Sequence, residues 1–152
     1  NGTALSGDGR SQADMGVAVD DIDGDGRLDL FVTKFFNETN TLYRQFTPGM
    51  FNDATAGSGL GESSLRLLGF GAQFLDADLD GWPDLLLTNG HIDDARHRGE
   101  AFAMRPQFYR NEGHGRFREL KSPEVGEFFA TEHLGRGLAR LDWNRDGRED
   151  AV

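Results

Sequence analysis

Residues Asp21 to Asp29 read DIDGDGRLD, and the same frame returns as DADLDGWPD from Asp76 to Asp84 and as DWNRDGRED from Asp142 to Asp150. Each is Asp-x-Asp/Asn-x-Asp-Gly-x-x-Asp, and three matches in 152 residues make a repeat, the feature that decides the architecture. The similarity extends outward. Five residues before each first Asp stands a glycine, Gly16, Gly71 and Gly137, within MGVAV, GFGAQFL and GRGLARL, so one extended segment precedes each loop. After the first two loops come LDLFVT from Leu28 and DLLLTN from Asp84, too short and too continuously apolar for a helix and suited to a strand buried on both faces. LYRQ at Leu42 and FYRN at Phe108 follow, then MFND and RFREL behind glycine turns at Gly49 and Gly115. Each unit reads as four short strands.

Tyr43 to Asp76 and Tyr109 to Asp142 are both 33 residues, whereas Asp21 to Tyr43 is 22 and Asp76 to Tyr109 is 33. The units share one register apart from an 11-residue insertion between Asn89 and Pro106. The inserted stretch, GHIDDARHRGEAFAMR, is polar and charged, as an excursion over the surface should be. Segments 54–66 and 121–134 read as connectors between units. Four-stranded units recurring every 55 to 66 residues fit the blades of a β-propeller. The expectation is all-β, part of one propeller domain, about two and a half blades over approximately 14–66, 67–134 and a truncated 135–152. The chain reads as a piece of something longer, with the remaining blades as its first partner, and the Phe-rich second blade (Phe70, Phe74, Phe108) set against a partial neighbour.

Composition agrees. Leu, Ile, Val and Phe make up about a quarter of the chain, enough for a core, and the 21 glycines follow no three-residue period. A net charge of −10 argues against nucleic acid. No cysteine is present, which excludes disulfides and thiolate sites, and no apolar run approaches the length of a membrane span.

Carboxylates packed this densely repel one another unless a cation offsets the cost. Alternation places side chains 1, 3 and 5 on one side of the loop, glycine at 6 lets the backbone turn, position 7 can offer a carbonyl and Asp at 9 closes the shell. That is an all-oxygen site of the size Ca²⁺ prefers, with no His or Cys to suit zinc. Eleven of the 26 acidic residues sit in these positions, leaving 15 acids against 16 bases elsewhere, so the acidity belongs to the loops. In an EF-hand or dockerin loop a bidentate Glu stands at position 12 and a helix follows; here position 12 is Val32 or Leu87 in strand-like sequence.

At these residues the chain resembles the FG-GAP or VCBS-type repeats of calcium-binding β-propellers. MGVAVDDIDGDGRLDLFVT, ETNTLYR, LGFGAQFLDADLDGWPDLLLTNGHI and FYRNEGHGRF are most similar to the bacterial cartilage acidic protein-like branch, associated with ASPIC/UnbV domains. Carried over by position, the resemblance implies about three Ca²⁺ ions: one at Asp21, Asp23, Asp25 and Asp29, one at Asp76, Asp78, Asp80 and Asp84, and one at Asp142, Asn144, Asp146 and Asp150. Arg27, Trp82 and Arg148 would supply backbone oxygen. Asn144 is neutral, so the third site should be weakest by charge. Gln45 to Phe51 (QFTPGMF) departs from the Asn-x-Gly-x-Gly-x-Phe turn that Asn111 to Phe117 keeps. The family implies an extracellular, surface or periplasmic location.

The reading is a non-enzymatic structural or interaction module, adhesion-like, with a protein or glycan ligand. The alternative is a carbohydrate-active enzyme or carbohydrate-binding propeller: the insertion offers His91, Asp93, Asp94, His97 and Glu100 for acid-base work, and Trp82 and Trp143 could stack on sugar rings. A charged surface loop is more often solvated than catalytic, so no residue is assigned a catalytic role, and the two indoles are expected to pack between blades.

Overall fold

The computed structural model describes residues 1–5, 7 and 9–152. Strands β1 (Asp14–Asp20), β2 (Asp29–Lys34), β3 (Thr41–Thr47) and β4 (Met50–Asp53) pair in chain order as an antiparallel meander. The pattern repeats in β5 (Gly69–Leu75), β6 (Asp84–Asn89), β7 (Gln107–Asn111) and β8 (Phe117–Leu120), and β9 (Arg140–Leu141) with β10 (Asp150–Ala151) opens a third sheet. The fold is all-β and propeller-like, as the repeat predicts. Each acidic segment is the loop between the first two strands of a sheet, and its mouth has the same register three times: Asp20 opposite Asp29, Leu75 opposite Asp84, Leu141 opposite Asp150.

The core is the layer between the first two blades. Ala18, Phe31 and Leu42 form one cross-strand row of the first blade and meet Ala72, Leu87, Phe74, Leu85 and Tyr109 of the second. Phe31 packs edge-on to Phe74 with ring centroids 6.5 Å apart. Phe74 is therefore wholly buried against the first blade, not set against a partial neighbour, because alternation along β5 turns Ala72 and Phe74 that way. Phe108 packs on Phe129 of the following connector, and Phe70 lies under the Arg136 guanidinium. On β1 the same alternation leaves Val17 and Val19 57% and 44% exposed on the far side.

The repeat glycines mark the seam between blades. A Cβ on Gly16 would lie 1.8 Å from the carbonyl oxygen of Phe70, and one on Gly71 would lie 2.6 Å from the Cβ of Leu138. At Gly16 and Gly71 the first strand also bulges out of register. The amide freed there is caught by a threonine on the next strand: Gly16 N–H donates to Thr33 Oγ1 at 2.8 Å and Gly71 N–H to Thr88 Oγ1 at 3.1 Å. Thr33 in turn donates to Phe70 O at 3.0 Å, which stitches blade to blade.

The insertion departs from a purely solvated excursion. Asp93, Asp94 and His97 are exposed as expected, but His91, Ala95 and Met104 are buried. His91 packs against Phe35 and Phe36, contacts Glu100 at 3.3 Å and accepts the Asp93 N–H at 3.2 Å. The loop is thus anchored on the end of the first blade. In the divergent turn, Gln45 pairs opposite Phe51 and Gly49 takes φ +75°, so Thr47-Pro48-Gly49 turns the chain with one register shift.

Candidate metal centres

One hydrogen-bond web is built three times. Both oxygens of the first Asp accept backbone amides: Asp21 from Gly24, Asp25 and Gly26 (2.9, 3.1 and 2.8 Å), Asp76 from Asp80 and Gly81 (3.0 and 2.9 Å), and Asp142 from Asp146 and Gly147 (3.1 and 3.0 Å). The third-position oxygen of Asp23, Asp78 or Asn144 accepts the amide two residues on. Asp25, Asp80 and Asp146 accept the amides of Arg27, Trp82 and Arg148, each at 2.9 Å. These bonds need two left-handed residues per loop. Glycine fills the sixth position (Gly26, Gly81, Gly147), while the fourth holds Gly24, Leu79 and Arg145, the last two at φ +60° and +61°. Spacing signalled the first of these positions and not the second, because a tolerated non-glycine strain leaves no mark in the sequence.

Loops 1 and 2 bring carboxylates together. Ligand oxygens of Asp21, Asp23 and Asp29 lie within 4.8 Å of one another, and so do those of Asp76, Asp78 and Asp80. Asp25 is turned toward the Arg27 side chain and stands outside the first group, and Asp84 stands outside the second. Asp29 is fully buried; its Oδ1 accepts the Gln45 N–H at 2.8 Å, the Ile22 amide also bears on its carboxylate, and among the described residues its Oδ2 has no partner in good hydrogen-bond geometry and no cationic side chain pairs with it. Asp84 accepts the amides of Asn111 at 2.8 Å and Ala77 at 3.3 Å. Burial raises the pKa of both, Asp84 to about 6, against the pull of their backbone donors. A buried carboxylate with no cationic partner among the described residues, beside two further carboxylates, fits a hard cation. In the third loop Asn144 Nδ2 donates to Asp146 at 3.0 Å and Asp150 accepts the Trp143 N–H at 2.9 Å.

Residues 21–87 match the FG-GAP-like repeat. The match begins on the first Asp of loop 1 and ends in β6, so it spans more than one period of this chain's repeat, from one acidic loop to the strand after the next. No curated protein matches the chain.

One feature of the acidic loops lay outside the sequence reading. Arg44 and Arg110, at equivalent places on β3 and β7, both reach an acidic loop: Arg44 pairs with Asp23, and Arg110 Nη2 lies 2.7 Å from Asp78 and 3.3 Å from Asp80. Each guanidinium occupies one side of the carboxylate cluster. The expectation that both indoles pack between blades holds in part for Trp82, which is half-buried with its ring near Gly24 of loop 1 and near Gly113 and His114, and not for Trp143. Trp143 is 77% exposed. Asp93, Asp94, which pairs with Arg96, and His97 are exposed, and none joins a carboxylate group that could hold a metal among the described residues.

Proposed function

We propose that the chain is a calcium-binding propeller segment whose ions brace the loops between the first two strands of each blade, a structural and interaction module without catalysis. The observation that carries this is the fully buried Asp29 carboxylate, gathered with Asp21 and Asp23 and given no ion-pair partner among the described residues; the thrice-built amide web supports it. The ligands are those of the repeat: Asp21, Asp23, Asp25 and Asp29; Asp76, Asp78, Asp80 and Asp84; Asp142, Asn144, Asp146 and Asp150; with the carbonyls of Arg27, Trp82 and Arg148. We assign the chain to the cartilage acidic protein-like branch and to an extracellular or periplasmic setting, where such sites meet millimolar calcium. Its partners are further blades, against which Trp143 would pack as Ile22 at the equivalent place of loop 1 packs on the second blade, and a protein or glycan ligand. No helix is long and apolar enough to cross a membrane among the described residues.

The test is calcium content and a chelator-dependent melt. An ion held only by the folded state adds RT ln(1 + [L]/Kd), about 1.4 kcal/mol per site at ten times Kd, so EDTA should lower the melting temperature and calcium restore it. A melt indifferent to both, in protein free of calcium by elemental analysis, would refute the reading.

Arg110→Gln is expected to tighten calcium at loop 2 roughly twofold to fivefold, since an exposed ion pair that competes with the cation is removed. Calorimetric titration checks the sign: weaker binding would mean that the guanidinium holds the ligands in place.

A further inference from the structure

We propose that Asn111 couples the first two acidic loops, so that an ion in one raises the affinity of the other. The inference rests on the calcium reading above and concerns how its sites communicate. Asn111 is fully buried, at the end of β7. Its N–H donates to Asp84 Oδ1 at 2.8 Å, the closing carboxylate of loop 2. Its side-chain amide donates to Ile22 O at 2.9 Å, between Asp21 and Asp23 in loop 1, and to Pro83 O at 3.1 Å, immediately before Asp84. Its Oδ1 accepts the Gly113 N–H at 3.0 Å, which holds the amide plane in place. One side chain with no spare polar atom therefore touches the backbone of both loops.

Packing follows the same path. Ile22, fully buried, sits under the β7–β8 turn, 3.2 Å from where a Cβ of Gly115 would stand, and Trp82 of loop 2 covers Gly24 of loop 1. Loop 1 is accordingly the more buried: Asp23 is buried where its counterpart Asp78 is exposed. The first blade has Gln45 where the second has Asn111. A cation that fixes Asp84 fixes the Asn111 backbone and with it the carbonyl of Ile22, so loop 1 starts already ordered and loses less conformational freedom on binding.

The test is a calcium titration of the full chain, read separately at the amides of Gly26 (loop 1) and Gly81 (loop 2) by NMR. Disabling loop 2 with Asp80→Ala should weaken calcium at Gly26 by about fivefold or more, and disabling loop 1 with Asp21→Ala should weaken Gly81 by the same factor, since coupling is reciprocal. In an Asn111→Ala background the Asp80→Ala effect at Gly26 should shrink; the charge lost is common to both backgrounds, so the difference belongs to Asn111. If the Asn111 variant fails to fold, Asp80→Ala alone decides at about 1 M salt, where the Debye length is about 3 Å and the charge of the exposed Asp80 is largely screened. A Gly26 midpoint unmoved there, or equal effects with and without Asn111, overturns the coupling and leaves the calcium sites standing. Saturable shifts at neither amide overturn both.

Discussion

Gly16→Ala is expected to cost more than about 3 kcal/mol, a large share of the roughly 5–15 kcal/mol that holds a domain of this size together. Its φ is ordinary, so the cost is not backbone strain but space: the new Cβ would stand 1.8 Å from Phe70 O, a backbone atom of β5 that no rotamer change can move. The second blade would have to back away, breaking the Thr33 bond to Phe70 and opening the layer around Phe31 and Phe74. Gly71→Ala should cost less, because Thr88 Oγ1 can turn aside and the other two atoms in the way, Leu138 Cβ and the Leu138 amide, are carried by the backbone that leads into the short third sheet and can move with it, where Phe70 sits within the four-stranded second sheet. Gly137→Ala has nothing within 4 Å and should stay within about 0.5 kcal/mol. Urea denaturation of the three variants gives the ranking. Should Gly16→Ala fall within 1 kcal/mol of the parent, the blades do not meet as described.

That ranking was half visible in the sequence. Three glycines at one spacing from three loops mark a repeated demand, and the strands follow from apolar runs too short for helices. Both are local facts, legible along the chain. The reason for the glycines is not local: Gly16 answers to Phe70 and Thr33 ties to it across 37 positions. The same holds at the candidate site. Asp-rich spacing brought Asp21, Asp23 and Asp29 to one place on the page because a tight loop leaves few alternatives, but the pairing of Arg44 and Arg110 with those acids depends on a neighbouring strand. Asn111 read as one member of a turn motif; its bond to Ile22 spans 89 positions. His91 read as part of a charged loop, and only the arrival of Phe35 and Phe36 buries it. Spacing reports what a residue must do for its own segment, and packing across blades adds a second role that spacing alone does not encode.

Asp84 makes the metal reading testable by pH alone, with a sign that calcium should reverse. In ion-free protein its carboxyl keeps a proton up to about pH 6, where the unfolded chain releases it near 3.8. Between those values the folded state binds more protons than the unfolded one, so stability falls as pH rises through the window, by up to about 3 kcal/mol for a shift of this size. Asp29, also raised by burial, adds the same sign. Among the described residues three carboxyls shift the other way: Asp94, to about 2 beside Arg96, and Asp146, under the Arg148 amide, act below pH 4, while Glu124, lowered by the Lys121 amide and Arg118, acts below 4.5 and leaves the window above that value to Asp84 and Asp29. With calcium at saturation the proton becomes a competitor of the ion, and stability should climb with pH over the same range. Denaturation in EDTA and in calcium at pH 4, 5, 6 and 7 measures both slopes. Asp84→Asn should flatten the ion-free slope and remove the calcium gain at loop 2, because the buried charge that calcium relieves is then gone. Slopes of the same sign with and without calcium would mean that Asp84 is buried for packing alone, and that the ion-dependent stability of this fold lies elsewhere.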